Sequence, residues 1–207
     1  MSAERITELQ QQIFQLVGEL GGLLKQSQGE KVGDYRFATS EGEVSLSELF
    51  AGKDTLLAIH NMGQGCRYCT LWADGFNGFL PHLESAMSVV LLSKDPPELQ
   101  RRFANSRGWR FRLASHGGGA YMREQTVLDG HENYPGAAVY KRQGDKILRF
   151  NTCVFGPGDL YCSLWNLLAL AGMGPEEWTP QYNYWQRPPV LDDGGENVLG
   201  ESLSGEA

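Results

Sequence analysis

This chain has no block of lysine or arginine, no apolar run near the ~20 residues of a membrane span, and no N-terminal charge followed by a hydrophobic stretch. It opens instead on Met1-Ser2-Ala3-Glu4-Arg5-Ile6. Its 18 basic residues are outnumbered by 25 acidic ones, a formal charge of −7, so neither nucleic acid nor an anionic membrane surface is an expected partner. A soluble, cytoplasmic protein is the expectation. Cysteine is scarce too, with four in 207 residues. A reducing compartment disfavours structural disulfides, so these four read as catalytic, metal-binding or simply buried thiols. The 41% of apolar residues suffices for one domain with an ample core and peripheral segments.

Two of the four cysteines stand three apart in Cys66-Arg67-Tyr68-Cys69, directly after the apolar run Leu56-Leu57-Ala58-Ile59 and before a segment with helical character. A strand that delivers CxxC to the first turn of a helix is the arrangement of thiol–disulfide chemistry. Unpaired N–H groups and the positive end of the helix dipole favour the thiolate of the first cysteine. Cys66 is therefore the expected nucleophile. Cys69, one turn along, is the expected resolving thiol, which closes an intramolecular disulfide and releases what Cys66 captured. Zinc sites use the same spacing, with His82 as a third donor, but no second ligand pair follows and an unbroken helix would carry His82 about 20 Å from Cys69. No metal and no cofactor are expected.

Upstream, Ile6, Leu9, Ile13, Leu16, Leu20 and Leu23 recur at steps of three and four and predict an amphipathic helix from about Ser2 to Leu24. Its apolar stripe requires a partner, either its own domain or a second copy across a coiled-coil seam. Tyr35–Ala38 and Glu43–Leu46 read as a hairpin around Ser40-Glu41-Gly42, followed by one helical turn capped by Ser45 or Ser47. From Thr55 the pattern predicts strand 55–60, helix 66–79, strand 87–93, helix 96–107, strands 137–142 and 146–152, and a last helix over 159–171. Met87–Leu92 is apolar on both faces and should be central. Pro96-Pro97 suits the start of the second helix and Gly108 its end.

The order βαβαββα is that of thioredoxin, an α/β fold with a central mixed sheet flanked by helices. Pro135, in Asn133-Tyr134-Pro135-Gly136, precedes the third core strand, where thioredoxin-like proteins keep a cis-proline facing CxxC that presents backbone polar groups to an extended substrate. An ordinary trans proline entering a strand is the alternative. The stretch Gly65-Cys66-Arg67-Tyr68-Cys69-Thr70-Leu71-Trp72-Ala73-Asp74-Gly75-Phe76-Asn77-Gly78 with His82-Leu83 resembles the core motif of a thioredoxin-like family of bacterial proteins, domain of unknown function 899. Val44–Phe50, Arg107-Gly108-Trp109, Tyr134-Pro135-Gly136 and Thr179–Trp185 extend the resemblance over about residues 35 to 188. It implies a thioredoxin fold related to peroxiredoxin-type proteins and no settled reaction. Arg67 stands where such proteins often carry proline, which alters redox poise, and residues 115–131 depart from the usual insert, which bears on specificity.

The division expected is an N-terminal amphipathic helix (1–28), a thioredoxin-like domain (35–174), an aromatic arm (175–190) that drapes on the domain or on a second subunit, and an acidic, disordered tail (191–207). The function expected is thiol–disulfide oxidoreduction, with Cys66 attacking, Cys69 resolving and Pro135 presenting a protein or small-molecule disulfide; the electron donor is not legible. A peroxidase is the alternative, set back because Asn61-Met62-Gly63-Gln64-Gly65 replaces the Pro-x-x-x-Thr/Ser-x-x-Cys approach of a peroxidatic cysteine. A non-catalytic binding or redox-sensor module is another. Arg67 is expected to face solvent, Trp72 to anchor the core, and Cys153 and Cys162 to be buried thiols. His60, at the end of the strand before the motif, reads as a hydrogen-bonded strand-end residue or as a proton-transfer aid to the cysteines. Asp74, His82, His116 and His131 are given no role. A homodimer built on the N-terminal helix, the arm or both is expected from their apolar and aromatic surface.

Overall fold

The computed structural model describes residues 3–184. An eight-stranded sheet lies at its centre, in the spatial order β1 (Glu30–Val32), β8 (Lys146–Val154), β7 (Gly136–Gln143), β4 (Thr55–His60), β5 (Ser88–Ser93), β6 (Arg112–Ser115), β2 (Arg36–Thr39), β3 (Gly42–Ser45). The four strands that carry the thioredoxin pattern are β4 (Thr55–His60), β5 (Ser88–Ser93), β7 (Gly136–Gln143) and β8 (Lys146–Val154). β4 and β5 run parallel, while β7 lies antiparallel to both β4 and β8. Every residue of β5 is buried, as a strand covered on both faces requires.

Alternation along the strands divides the core into two layers. Leu57 and Ile59 of β4 with Val89 and Leu91 of β5 face α3 (Arg67–Ala86), α4 (Pro97–Ser106) and α6 (Ser163–Leu170). Leu56, Ala58, Val90 and Leu92 face α2 (Leu46–Leu49), α5 (Ala120–Glu124) and Phe37 of β2 (Arg36–Thr39). β2 pairs with β3 (Gly42–Ser45) in the expected hairpin, and Ser45 caps α2 through a reciprocal capping box with Glu48.

Three elements lie outside the sequence expectation. β1 (Glu30–Val32) adds to the free edge of β8, β6 (Arg112–Ser115) extends the parallel stretch beyond β5, and α5 fills part of the divergent 115–131 segment. Two helices have other bounds than expected. α3 continues to Ala86 because Pro81 bends it, with Phe79 at φ −116° and ψ 17°, without ending it. The last helix begins only at Ser163, because Asp159 gathers the amides of Gly156, Tyr161 and Cys162 into a turn ahead of it.

At the N-terminus, α1 (Ala3–Gln26) covers the expected span but buries none of its residues. The reading in which this helix lies on its own domain is thereby corrected: what ties it to the sheet is Asn151 Nδ2 of β8 donating to Leu24 O (3.1 Å) near its C-terminal end. At the other end the aromatic arm does lie against the domain. Trp178 packs edge-on against Trp165, Pro180 is fully buried, and Arg107 donates to Tyr182 O (2.6 Å). Trp185 and the acidic stretch from 191 lie outside the described residues.

Candidate active site

β4 runs into a short loop, residues 61–65, whose backbone is fixed by two side chains. Buried Asn61 continues the sheet by donating its N–H to Leu92 O (2.8 Å), accepts Gly63 N on its Oδ1 (2.8 Å), and reaches Cys69 O with Nδ2 (3.4 Å). On the other side Asp95 accepts the N–H of Gln64 (2.7 Å). Gly63 sits at φ +113°, and a Cβ there would come 2.7 Å from the Asp95 carboxylate, so only glycine fits this approach.

The loop delivers Cys66 to the N-cap of α3. Cys66 Sγ accepts the N–H of Cys69 (3.0 Å), while Cys66 O accepts both Thr70 N (3.1 Å) and Thr70 Oγ1 (3.0 Å). Cys66 and Cys69 are joined in a disulfide, with Cα atoms 5.3 Å apart. Their exposures differ: Cys66 is half-buried, Cys69 fully buried. A sulfur acting as helix cap takes a hydrogen bond that strengthens when it carries charge, which favours the Cys66 thiolate once the pair is reduced. Around it opens a cleft of about 520 Å³ walled by Met62, Gly65, Tyr68, Lys94, Asp95 and Asn133. Arg67 lies on the rim and is exposed, as its place beside Cys66 on the helix requires.

The helix is anchored from below. Trp72 is buried, stacks on Phe155 with ring centres 5.5 Å apart, and donates its indole N–H to Asp159 (2.8 Å). Asp74, to which the sequence assigned no role, accepts Trp109 Nε1 (2.7 Å) and is held by the Arg107 guanidinium through an ion pair. The distant motifs around Asp74 and Arg107-Gly108-Trp109 are thus one contact, tying α3 to the end of α4. Hydrogen bonding to Asp74 is also what raises the Arg107 pKa.

Pro135 is buried and starts the return path of the sheet: the next residue, Gly136, pairs with His60 at the end of β4. Pro135 therefore lies at the end of the sheet from which the cysteine loop emerges. Its carbonyl accepts Phe155 N (3.0 Å), and its neighbour Asn133 both lines the cleft and donates to Met62 O (3.4 Å). Gly136 is needed there because a Cβ would collide with Cys153 O and crowd Val127.

His60 does not join the cysteines. Its register places it with Leu56 and Ala58, on the face opposite α3, where Nε2 meets Tyr121 OH (2.7 Å). From there a hydrogen-bonded chain crosses the fold: Tyr121 to Tyr140 (3.1 Å), Tyr140 to Gln125 Oε1 (3.0 Å), Gln125 Nε2 to Tyr35 (3.1 Å), and Tyr35 to Glu124 (2.8 Å). Desolvation, with Arg149 and His116 nearby, pushes the His60 pKa down to about 3. His116 stacks on Tyr121 and is lowered to about 4, first by burial and then by Lys94. The proton-transfer reading of His60 is thus replaced by the strand-end one. His82 is exposed on α3 and His131 is exposed in the 115–131 segment.

Cys153 lies half-buried on β8 and Cys162 buried at the N-cap of α6; both are free thiols whose pKa is raised by burial. They have the character of core thiols rather than nucleophiles. Asn61, Asp95 and Asn133, which shape the loop and the cleft, were missed in the sequence. Only Asn61-Met62-Gly63, an Asx-turn pattern at a strand end, offered a signal.

Fold and site together define a thioredoxin-like protein with a CxxC disulfide at the start of the helix that follows the first core strand. The family model for a bacterial protein of unknown function (DUF899) matches residues 29–189, and the chain belongs to that family. Among solved structures it is similar to peroxiredoxin Q of Xanthomonas campestris, at 16% identity and a TM-score of 0.50 over 66% of this chain and 88% of that one. It is also similar to Enterococcus faecalis AhpC, at 14% identity and a TM-score of 0.50, covering 70% and 91% respectively. At these identities the likeness concerns the fold. No functionally curated protein matches the chain.

Proposed function

We propose that this protein is a thiol–disulfide oxidoreductase of the cytoplasm, with Cys66 as nucleophile and Cys69 as resolving thiol. The observation that carries the reading is the asymmetry of the pair: Cys66 Sγ caps α3 and faces the cleft, while Cys69 lies buried one turn behind. The reduced Cys66 thiolate attacks one sulfur of a substrate disulfide, breaking its S–S bond and expelling one thiolate, and forms a mixed disulfide. Cys69, giving up its proton, then attacks the Cys66 sulfur and expels the second thiolate. Two electrons have passed to the substrate, and an external dithiol returns the Cys66–Cys69 disulfide to its thiols. Asn133, which lines the cleft, receives an extended substrate in this reading, and Pro135, whose carbonyl is held by Phe155 N, serves by fixing the chain just after it.

The test is a dithiothreitol-driven reduction assay with insulin and, in parallel, hydrogen peroxide. Wild type should accelerate insulin reduction at least tenfold over the Cys66→Ser variant. Equal rates would discard the oxidoreductase reading, and consumption of peroxide alone would replace it by a peroxidase that passes through a Cys66 sulfenic acid.

A further inference from the structure

α1 carries Ile6, Leu9, Ile13, Phe14, Leu16, Val17, Leu20, Leu23 and Leu24, all of them exposed, on a helix with no buried residue. Eight of the nine fall on one continuous stripe, with Phe14 at its flank. At roughly 100 Å² of open surface per side chain, the stripe presents about what each partner of a stable protein interface buries, ~800 Å², and well above the largest apolar patch usual on a monomer. At the foot of the helix is a matching hollow: an almost wholly apolar groove of about 400 Å³ between α3 and the uncovered part of β7–β8. Phe76, Phe79 and Leu83 of α3 form one wall, Val139 and Cys153 the floor, and Leu24 of α1 itself the rim.

We propose that the occupant is a second copy of this chain, in a two-fold dimer where α1 of each protomer lies across the apolar groove and α1 of the other. The stripe and the groove sit on the same molecule, so one symmetric exchange covers both. The chain's own helix is poorly placed to fill its own groove: its last turn is held at the rim by Asn151 donating to Leu24 O, and Ile6 to Leu20 lead away from that point. The polar side of α1 carries Glu4, Glu8 and Glu19 against Arg5 and Lys25, among glutamines. A helix that lies on anionic lipid has the opposite, basic balance. The dimer is independent of the redox reading of Cys66.

Sedimentation velocity of the full chain at micromolar concentration should give a dimer, and the Ile13→Glu, Leu16→Glu double variant a monomer with an unchanged far-ultraviolet spectrum. The groove is tested by placing Leu16→Cys in a Cys66→Ser, Cys69→Ser, Cys162→Ser chain and treating it with a short bismaleimide. The introduced thiol should link to Cys153 of the other copy and give a covalent dimer on a denaturing gel. A monomeric full chain overturns the proposal, as does a link to Cys153 within one chain, which would mean that α1 folds back. So does a monomer that pellets with phosphatidylglycerol vesicles through α1.

Discussion

Cys66 is set apart from Cys153 and Cys162 by its place rather than by its type, since those two are the same residue with pKa values raised by burial. At the N-cap of α3 the sulfur accepts an amide that would otherwise have no acceptor in the helix, and it faces water. The thiolate absorbance of a reduced Cys69→Ser variant should therefore titrate below the ~8.5 of free cysteine; a midpoint at or above ~8.5 would remove the basis for Cys66 as nucleophile. This residue and its partner were legible because a strand, a CxxC and a helix follow one another in sequence. Asn61 and Asp95 were not, because what they do depends on a loop folding back on itself and on a strand end thirty residues away. The side on which His60 falls was open for the same reason. A strand-end position fixes the parity of a side chain, but only the tertiary arrangement shows which layer holds the α3 helix and which the tyrosines.

At the scale of elements, the strongly periodic segments and the β2–β3 hairpin with its capped turn were legible in the sequence, while β1, β6 and α5 and two helix ends were not. β4, β5, β7, β8 and α4 stand close to their expected places, since each has an apolar pattern or a proline and glycine that mark its ends. β1 has three residues, β6 four and α5 five, too few to show a period, and the two strands exist because sheet edges were available to pair with. The expected end of α3 coincides with its kink at Phe79, because sequence shows the proline but not the packing of Leu80 and Leu83 that carries the helix past it. The layer opposite α3 is held by the chain from His60 to Glu124, which joins β4, α5, β7 and the segment before β2. Tyr140→Phe removes its middle member and leaves Gln125 Oε1 and Tyr121 OH short of a partner in a buried site. Urea unfolding should show a loss of about 1–3 kcal/mol, and no loss would mean that the network contributes little to holding α5 on the sheet.

For the whole molecule, the two histidines in that layer make stability depend on pH. His60 and His116 are held neutral, with pKa values of about 3 and about 4, while in the unfolded chain they titrate near ~6.5. Between those limits the unfolded state binds protons that the folded state does not, so their contribution is complete above ~6.5 and is lost as pH falls toward the folded values. For half-buried His60 this amounts to about 1–2 kcal/mol at pH 5. The urea midpoint should thus drop from pH 7.5 to pH 5, and drop less in His60→Gln; equal drops would place the acid sensitivity elsewhere. The same molecule presents two surfaces: a sheet end where the cysteine loop, Asn133 and Pro135 converge, and an exposed apolar helix with a groove at its foot. At the first, in the proposed reaction, Cys66 captures a disulfide and Cys69 releases it. Mass spectrometry of reduced Cys69→Ser after exposure to a model disulfide such as oxidised glutathione reads that capture itself. A single adduct is expected on Cys66, one that persists in this variant and is resolved within the same time in wild type. An adduct on Cys153 or Cys162, or none at all, would contradict it.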